Sequence, residues 1–314
     1  MKFYLAPLAG FSDAPFRKLC FEGGADLTYT EMVSAAGLAH GNRPTRHLME
    51  KLEGEGPVAC QLFGSNERDL AFAAREVPEG FVELNLNAGC PMTKVTREGA
   101  GAKLIEDPEK VYRLLKAMKE NTSTPVSLKT RLGPRPDKPR IFELLNAAES
   151  AGVSSLIVHA RFTSQMHGGA TDLELLREVV EKAKVPIVGN GSVVDARTAS
   201  EMAKTGVAAI MVGRAALNDP AIFSRLKNEE SELLFELDAK DICRRHLRYL
   251  LEFREKLVDK YPLDHIPSVD GYASVKMHTH LFRYFNGRPG AAALRAKLNL
   301  VRTLREIYDI IISQ

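Results

Sequence analysis

The sequence predicts a (β/α)₈ TIM barrel followed by a small all-α helical-bundle domain. Eight short apolar runs recur within roughly the first 215 of the 314 residues, each bounded by glycine, proline or polar residues. Segments with helical spacing lie between most of these runs, and alternation of strand with helix is typical of a parallel sheet built from βα units. Eight units in about 215 residues favour a closed barrel, although an open doubly wound sheet would alternate in the same way.

The predicted strands and helices follow one another in chain order. The strands are 3–9, 25–32, 57–64, 81–87, 125–131, 155–161, 186–191 and 208–214. The clearest helical spacing between strands is at 107–121, 140–152, 172–184 and 195–206. Several of these helices run to a Gly or Asn, a common stop signal. The barrel domain is predicted to span residues 1–232.

The strand pattern stops after about residue 224, and the charged segment 224–240 is predicted to contain a link. Beyond it, apolar residues recur at helical spacing over 239–260, 273–285 and 291–313. This pattern predicts a bundle of three or four helices, assigned here to a second domain at 233–314.

The composition predicts an ordinary soluble globular protein, with 45% hydrophobic and 26% charged residues. No apolar stretch approaches the roughly 20 residues that a membrane helix needs, and residues 1–13 have no signal-peptide pattern. Cys20, Cys60, Cys90 and Cys243 are far apart and form no C-x-x-C pair. We therefore expect neither a metal site nor disulfides, no membrane partner, and a reducing, cytoplasmic location.

The charge is unevenly placed along the chain. The net charge is +3, but residues 240–314 carry 14 Lys/Arg and 8 Asp/Glu, which gives +6, whereas the remaining residues sum to −3. A basic segment on a slightly acidic body indicates contact with a polyanion. A solvated helix surface that happens to be arginine-rich would give the same numbers, so charge alone leaves both interpretations open.

Polar residues mark the carboxyl ends of the predicted strands, where the functional loops of a barrel lie. They are Gln61, Asn87, Cys90, Lys129, Arg131, His159, Arg161, Asn190 and Arg214. Burying such groups is costly unless they are paired or bind something. Any one of them could be a satisfied core residue, but their shared position predicts a functional site.

Glycines after the last two strands predict a phosphate site. Asn190-Gly191-Ser192 and Gly213-Arg214 come just before helices, where backbone N–H groups can approach a phosphate closely. Loops seven and eight form the usual phosphate site of a barrel. No G-x-G-x-x-G follows a strand, so a Rossmann-bound cofactor is not indicated.

Lys129 indicates that the cofactor is a flavin. A reduced flavin is anionic, and a fixed cation beside its pyrimidine end stabilises that state. A lysine on a central barrel strand suits this role. The alternative is a salt bridge to a carboxylate of the barrel.

Cys90 stands between a glycine and a proline in the stretch LNLNAGCPMTKV (84–95). A core cysteine would lie within the apolar run rather than on the turn that ends it. A free thiol is mostly protonated at neutral pH, so it is a ready proton donor as well as a potential nucleophile. Gly89, Gly99 and Gly101 predict a mobile loop around it. A purely structural turn cysteine is the alternative.

Over nearly its whole length the chain resembles the tRNA-dihydrouridine synthase family. The segments that carry the resemblance are 6–17, 30–35, 61–65, 87–104, 126–133, 159–169, 190–196, 205–223 and 275–295. The N-x-G-C-P-x-x-K-V signature at 87–95 is highly specific, whereas Asn-Gly followed by Val-Gly-Arg is shared with other flavin barrels. The chain departs from the family pattern at Ser192, where Asp is frequent, and at His167, where Tyr is frequent.

The resemblance implies an FMN-binding barrel followed by a tRNA-binding helical domain. NADPH or NADH would reduce FMN, hydride would pass to C6 of a tRNA uridine, and Cys90 would protonate C5. The implied FMN contacts are Pro7, Leu8, Ala9, Gln61, Lys129, His159, Asn190, Gly191, Ser192, Gly213 and Arg214. The implied substrate contacts are Asn87, Lys94 and Arg161, and the candidates for the tRNA backbone are Arg244, Arg245, Arg248, Arg288 and Arg295.

Two other functions fit parts of the sequence. An FMN-dependent TIM-barrel dehydrogenase acting on a free pyrimidine or other small metabolite would explain the barrel, Lys129 and Cys90, but not a separate basic helical domain. A catalytically silent tRNA-binding module would explain the basic domain, but not Cys90 or the phosphate loops.

Overall fold

A computed structural model describes residues 1–227, 239–286 and 291–313, without the side chains of Ala292, Arg295 and Ser313. Its strands are β1 Lys2–Leu5, β2 Leu27–Tyr29, β3 Val33–Ser34, β4 Val58–Phe63, β5 Glu83–Ala88, β6 Val126–Arg131, β7 Leu156–His159, β8 Ile187–Asn190 and β9 Ala209–Val212.

The strands form a closed parallel barrel. Their order is β2-β1-β9-β8-β7-β6-β5-β4-β3, and an additional parallel pairing of β2 with β4 closes the ring. The two-residue strand β3 follows β2 and pairs with the far end of β4. Each of the eight predicted strands overlaps one of the other eight strands, so the predicted (β/α)₈ barrel is confirmed.

The described residues form fifteen α-helices. They are α1 Ala14–Glu22, α2 Ala35–Ala39, α3 Arg43–His47, α4 Glu67–Glu76, α5 Thr93–Thr96, α6 Pro108–Lys119, α7 Ile141–Ser150, α8 Leu173–Lys182, α9 Ala196–Ala203, α10 Arg214–Asn218, α11 Ile222–Lys227, α12 Ala239–Lys260, α13 Val269–Tyr284, α14 Ala291–Leu298 and α15 Leu304–Ser313. The four helices predicted between strands appear as α6 to α9. Three of them begin at an aspartate cap, because Asp107, Asp172 and Asp195 each accept a hydrogen bond from a backbone N–H three residues on.

Alternation along the strands separates two apolar layers. Phe3 and Leu5 of β1 join the large cluster between barrel and helices, whereas Tyr4 packs against the smaller cluster that includes Tyr29 and Met211. The smaller cluster fills the inside of the barrel. The barrel interior is therefore packed with side chains, and binding space is left at its ends.

Helices α12 to α15 pack together and onto helix α1 of the barrel. Their apolar cluster includes Leu19 of α1, and Arg245 of α12 forms an ion pair with Glu22 at 3.3 Å. Lys276 of α13 forms another with Asp13 at 3.2 Å. The predicted bundle is thus observed with four helices. The domain boundary predicted at residues 232 and 233 lies outside the described residues and stays a prediction.

In the described part of the chain, no helix has both the length and the apolar character needed to cross a membrane. The same residues contain no cluster of three or more His, Cys, Asp or Glu side chains arranged to hold a metal ion. Cys20, Cys60, Cys90 and Cys243, which all lie in the described residues, form no disulfide bond.

Candidate active site

A cavity of about 470 Å³ lies at the carboxyl ends of the strands. It is lined by the end of β6 and by the ends of β5, β7, β8 and β9 with the loops that follow them, and by the loop after β1. Ten of the eleven residues predicted to contact the cofactor line it: Pro7, Leu8, Ala9, Lys129, His159, Asn190, Gly191, Ser192, Gly213 and Arg214. Cys90, Asn87 and Arg161 line it as well. The parallel barrel therefore brings together residues that are more than 200 positions apart in the sequence.

Gln61 is fully buried and does not line the cavity. Its Nε2 donates to Oδ1 of Asn85 at 2.7 Å, and its Oε1 accepts from Nδ2 of Asn87 at 2.8 Å. Asn85 in turn donates to Oγ of Ser127 at 2.7 Å. These bonds satisfy the amides inside the barrel and fix the orientation of Asn87. The cofactor contact of Gln61 stays a prediction.

Cys90 is half-buried on the cavity wall, on a turn that hydrogen bonds hold from several sides. Oδ1 of Asn87 accepts from the N–H groups of Gly89 and Cys90 at 3.1 and 3.0 Å. Nε of Arg131 donates to the carbonyl of Gly89 at 2.8 Å, and N–H of Ala102 donates to the carbonyl of Cys90 at 2.8 Å. The thiol therefore has a defined position, and the predicted mobility of this loop stays a prediction.

Lys129 faces the cavity without a carboxylate partner among the described residues. Its Nζ donates to Oδ1 of Asn190 at 3.1 Å, and Nδ2 of Asn190 donates to the carbonyl of Met211 at 2.8 Å, which fixes the amide. Burial and the charge of Arg131 lower the pKa of Lys129 to about 7. The alternative of a structural salt bridge has no support here, and the lysine is available to an anionic or carbonyl ligand.

Arg161 binds the loop that follows β7. It donates to the carbonyl of Gly168 at 2.9 Å, to that of Gly169 at 2.8 Å and to Oγ of Ser192 at 2.5 Å. Its Nη1 lies 3.2 Å from Nε2 of His159. Burial and the charge of Lys129 lower the pKa of His159 well below its usual range, so His159 is neutral and its Nε2 accepts from the guanidinium.

Gly191 is the glycine whose lack of a side chain the site requires most. Its φ is +129°, and a Cβ there would lie 2.8 Å from Cγ2 of Thr171 and 3.1 Å from Cδ2 of His159. Gly213 is less constrained, because a Cβ there would meet Cβ of Ala6 at an ordinary 3.6 Å. The backbone at Gly191 is thus the part of the predicted phosphate cradle with least room for substitution.

The cavity is lined by five cations and by no Asp or Glu among the described residues. The cations are Lys129, Arg131, Arg161, Arg214 and Arg283. Such a wall favours an anionic ligand. Lining residues that had been assigned neither a cofactor role nor a substrate role include Phe11, Met32, Arg131, His167 and Arg283. Arg131 is already among the polar residues at the predicted strand ends, and Met32 ends the second predicted strand, whereas Arg283 has no such signal.

The remaining predicted residues lie apart from the cavity. Lys94 is exposed and does not line it. Arg244 and Arg248 lie on α12, where they face Asp241 at 2.9 Å and Glu252 at 3.7 Å. Arg288 lies outside the described residues, as does the side chain of Arg295.

The fold and the site define a (β/α)₈-barrel enzyme with a cationic cavity and a thiol on its wall. The family model described as Dihydrouridine synthase (Dus) matches residues 4–310, and the chain belongs to this family of oxidoreductases. The family predicted from the sequence is thereby confirmed.

Curated relatives and solved structures agree with this assignment. The chain is 34% identical over 255 residues to tRNA-dihydrouridine synthase B of Klebsiella pneumoniae and to that of Escherichia coli K12, covering 79% of this chain and 79% of each relative. Among solved structures, morphinone reductase in complex with tetrahydroNAD aligns with a TM-score of 0.53 at 14% identity, covering 72% of this chain and 86% of the other. This second likeness concerns the barrel fold alone.

Proposed function

We propose that the protein reduces uridine in tRNA to dihydrouridine, with FMN as its bound cofactor, NADPH or NADH as reductant, and Cys90 as the proton donor. The observation that carries the proposal is the presence of the Cys90 thiol and the Lys129 amine on the wall of one cavity. Family membership and the names of the curated relatives support the reaction and its tRNA substrate. The barrel, 1–232, would hold the chemistry, and the helical part, 233–314, would hold the tRNA.

The residues present fit FMN. The cavity has the size of a small-ligand site, and apolar side chains such as Leu8 and Met211 stand beside its cations. The backbone at Gly191, which carries no side chain, suits a phosphate, and Lys129 suits the polar edge of the ring. When bound, FMN supplies the hydride. The chain's own contribution is to bind, to orient and to hold a proton.

Cys90 holds that proton at its Sγ. Reduction of the C5–C6 double bond adds hydride to C6 and a proton to C5, so a donor must reach C5. The hydrogen bonds of Asn87 and Arg131 to the turn keep the thiol on the cavity wall. A positioned general acid of this kind typically contributes about 10²–10⁴-fold to the rate.

The low pKa of Lys129 predicts how binding of the cofactor depends on pH. In the cofactor-free protein the amine loses its proton as pH rises through about 7. A ligand oxygen beside Nζ favours the protonated form, so binding takes up a proton above that pH. The affinity for FMN should therefore fall as pH rises from 7 to 9, by up to about tenfold per pH unit.

Titration of cofactor-free protein with FMN, followed by quenching of flavin fluorescence, measures this slope. Lys129→Met should bind FMN more weakly at pH 7 and show no slope above it. Lys94→Met, which removes an exposed lysine outside the cavity, should keep the slope of the unchanged protein. Equal slopes for Lys129→Met and the unchanged protein would contradict the assignment of Lys129.

The basic helix α12 predicts how tRNA affinity depends on salt. Arg245 is paired with Glu22 of the barrel and serves docking. Among the described residues, Arg244 and Arg248 pair with residues of their own helix, and they remain about half exposed or more. Phosphate contacts position a nucleic acid without reading its sequence. The double variant Arg244→Gln/Arg248→Gln should lower tRNA affinity and flatten the salt slope by about two units, one for each lost contact.

The matched control is Arg177→Gln/Arg197→Gln on the outer barrel helices α8 and α9. These arginines also pair within their own helix, with Glu174 and Glu201, so the change of charge is the same. Filter binding at several salt concentrations measures both variants. An unchanged slope in the α12 variant, or an equal change in the control, would count against α12 as the binding surface.

Incubation of the purified protein with NADPH and unmodified tRNA transcript tests the proposed reaction itself. Nuclease digestion and mass spectrometry should reveal dihydrouridine, while free uridine should be a far poorer substrate. Equal turnover of free uridine would instead support the small-metabolite dehydrogenase. No observation among the described residues favours that second function. The family match extends through the helical part, for which a small-metabolite dehydrogenase would have no use.

A further inference from the structure

Arg283 is the residue through which the helical part reaches the cavity. It lies on α13, and among the described residues that line the cavity no other comes from helices α12 to α15. Its guanidinium carbon lies 5.0 Å from the centroid of the Phe11 ring, and Phe11 lines the cavity too. His280 also packs against Phe11, with the two ring centroids 5.5 Å apart and the rings nearly perpendicular. Packing against an aromatic face therefore sets the position of the Arg283 side chain.

The hydrogen-bonding capacity of Arg283 is unused in the described part of the chain. Its Nε is buried without a hydrogen-bond partner, and no ion pair to a carboxylate is formed there. Burial and the neighbouring charge of Arg214 lower the pKa of Arg283. Arg214 begins α10, which packs against α13, and both guanidinium groups belong to one cavity wall with no acidic residue among the described residues. An unpaired guanidinium of this kind costs free energy that a bound anion would offset.

We propose that Arg283, together with Arg214, binds a backbone phosphate of the RNA beside the uridine that enters the cavity. The inference rests on the proposed function and names a positioning residue for its substrate. A guanidinium matches a phosphate in a planar, two-point geometry that a lysine cannot reproduce.

The side chains of Arg283 and Arg214 lie apart from the backbone groups at which we place the cofactor's phosphate, so the RNA phosphate proposed here is a different one. We place the cofactor's phosphate at the backbone of Gly191 and Gly213, whereas the Arg214 side chain is exposed and donates to the carbonyl of His167 at 3.0 Å. Arg283 belongs to the part of the chain with the excess of positive charge. When the RNA binds the helical part, a phosphate bound by Arg283 would also position the uracil near Cys90.

The test compares Arg283→Gln with Arg283→Lys and with a control, Arg305→Gln. Arg305 is an exposed arginine of α15 that does not line the cavity, so the control loses the same charge from the same helical part. The full-length protein is loaded with flavin and reduced, and its oxidation by tRNA is followed in single turnovers at several tRNA and salt concentrations.

In Arg283→Gln the half-saturating tRNA concentration should rise by about tenfold, and the salt slope should flatten by about one unit. Arg283→Lys, which keeps the charge, should keep the slope and raise the half-saturating concentration by a smaller factor. Flavin content and the rate of reduction by NADPH should stay unchanged in all three variants. This pattern, with Arg305→Gln close to the unchanged protein, supports the inference.

Three results would overturn it. An unchanged half-saturating tRNA concentration in Arg283→Gln would rule out the phosphate contact. If the glutamine variant does not fold, an unchanged value in Arg283→Lys would rule it out. An equal effect of Arg305→Gln would show that tRNA binding depends on the total positive charge of the helical part and not on a specific contact of Arg283. Loss of flavin from Arg283→Gln would assign the guanidinium to the cofactor's phosphate. Each of these leaves the proposed function standing if the unchanged protein reduces tRNA, whereas failure of the unchanged protein to do so would refute the function itself.

Discussion

Replacing Cys90 with alanine should slow the oxidation of the reduced enzyme by tRNA by about 10²–10⁴-fold, because the proton for C5 of the uracil then lacks a positioned donor. The reaction with NADPH needs no such proton and should keep its rate. Flavin content should also be normal, since the turn at Cys90 is held through backbone groups and the side chain of Asn87. Stopped-flow absorbance of the flavin separates the two half-reactions.

The control for loss of a thiol is Cys20→Ala, which removes a buried cysteine of α1 that does not line the cavity. It should leave both half-reactions unchanged. If Cys90→Ala slowed both halves equally, the substitution would have disturbed the cavity as a whole. If tRNA still oxidised the enzyme at the normal rate, another group would be the proton donor.

Replacing Gly191 with valine should abolish flavin binding, so that the purified protein is colourless. The φ of +129° is a conformation that a β-branched residue strongly disfavours, and even the first carbon of the new side chain would press on Thr171 and His159. The remaining methyl groups would fill the space in which we place the phosphate. Flavin absorbance per protein molecule, measured after purification, gives the result.

Gly41→Val is the control for backbone strain, because it strains the backbone at a position outside the cavity. Gly41 also has a positive φ, +72°, but a Cβ there has no neighbour within 4 Å, and the residue is exposed outside the cavity. This variant should lose some stability and keep its flavin. Full retention of flavin in Gly191→Val would refute the placement of the phosphate beside this loop.

The strands and most of the site were predictable from local sequence patterns. Each barrel strand is a short apolar run between glycine, proline or polar residues, and parallel strands bring their carboxyl ends to the same end of the barrel. Polar residues that follow those runs, such as Lys129 and Asn190, therefore had to lie close together. The aspartates before α6, α8 and α9 likewise mark helix starts that can be read in the sequence.

The rest depends on contacts between distant parts of the chain. The position of Arg283 follows from how α13 docks against the barrel, which no local spacing encodes. Gln61 was predicted as a site residue from its strand position, and the hydrogen bonds of its amide to Asn85 and Asn87 could not be read from that position. The two-residue strand β3 is shorter than any periodicity can reveal. These features are decided by tertiary packing, which overrides local signals.

The most direct test of the central claim is the dihydrouridine content of tRNA from a host whose own dihydrouridine synthase genes are deleted. The host expresses either the unchanged protein, Cys90→Ala or Cys20→Ala, at matched levels, and its tRNA is digested and measured by mass spectrometry. Dihydrouridine should return with the unchanged protein and with Cys20→Ala, and should be strongly reduced with Cys90→Ala. Absence of dihydrouridine with the soluble, flavin-loaded unchanged protein, or full restoration by Cys90→Ala, would contradict the account.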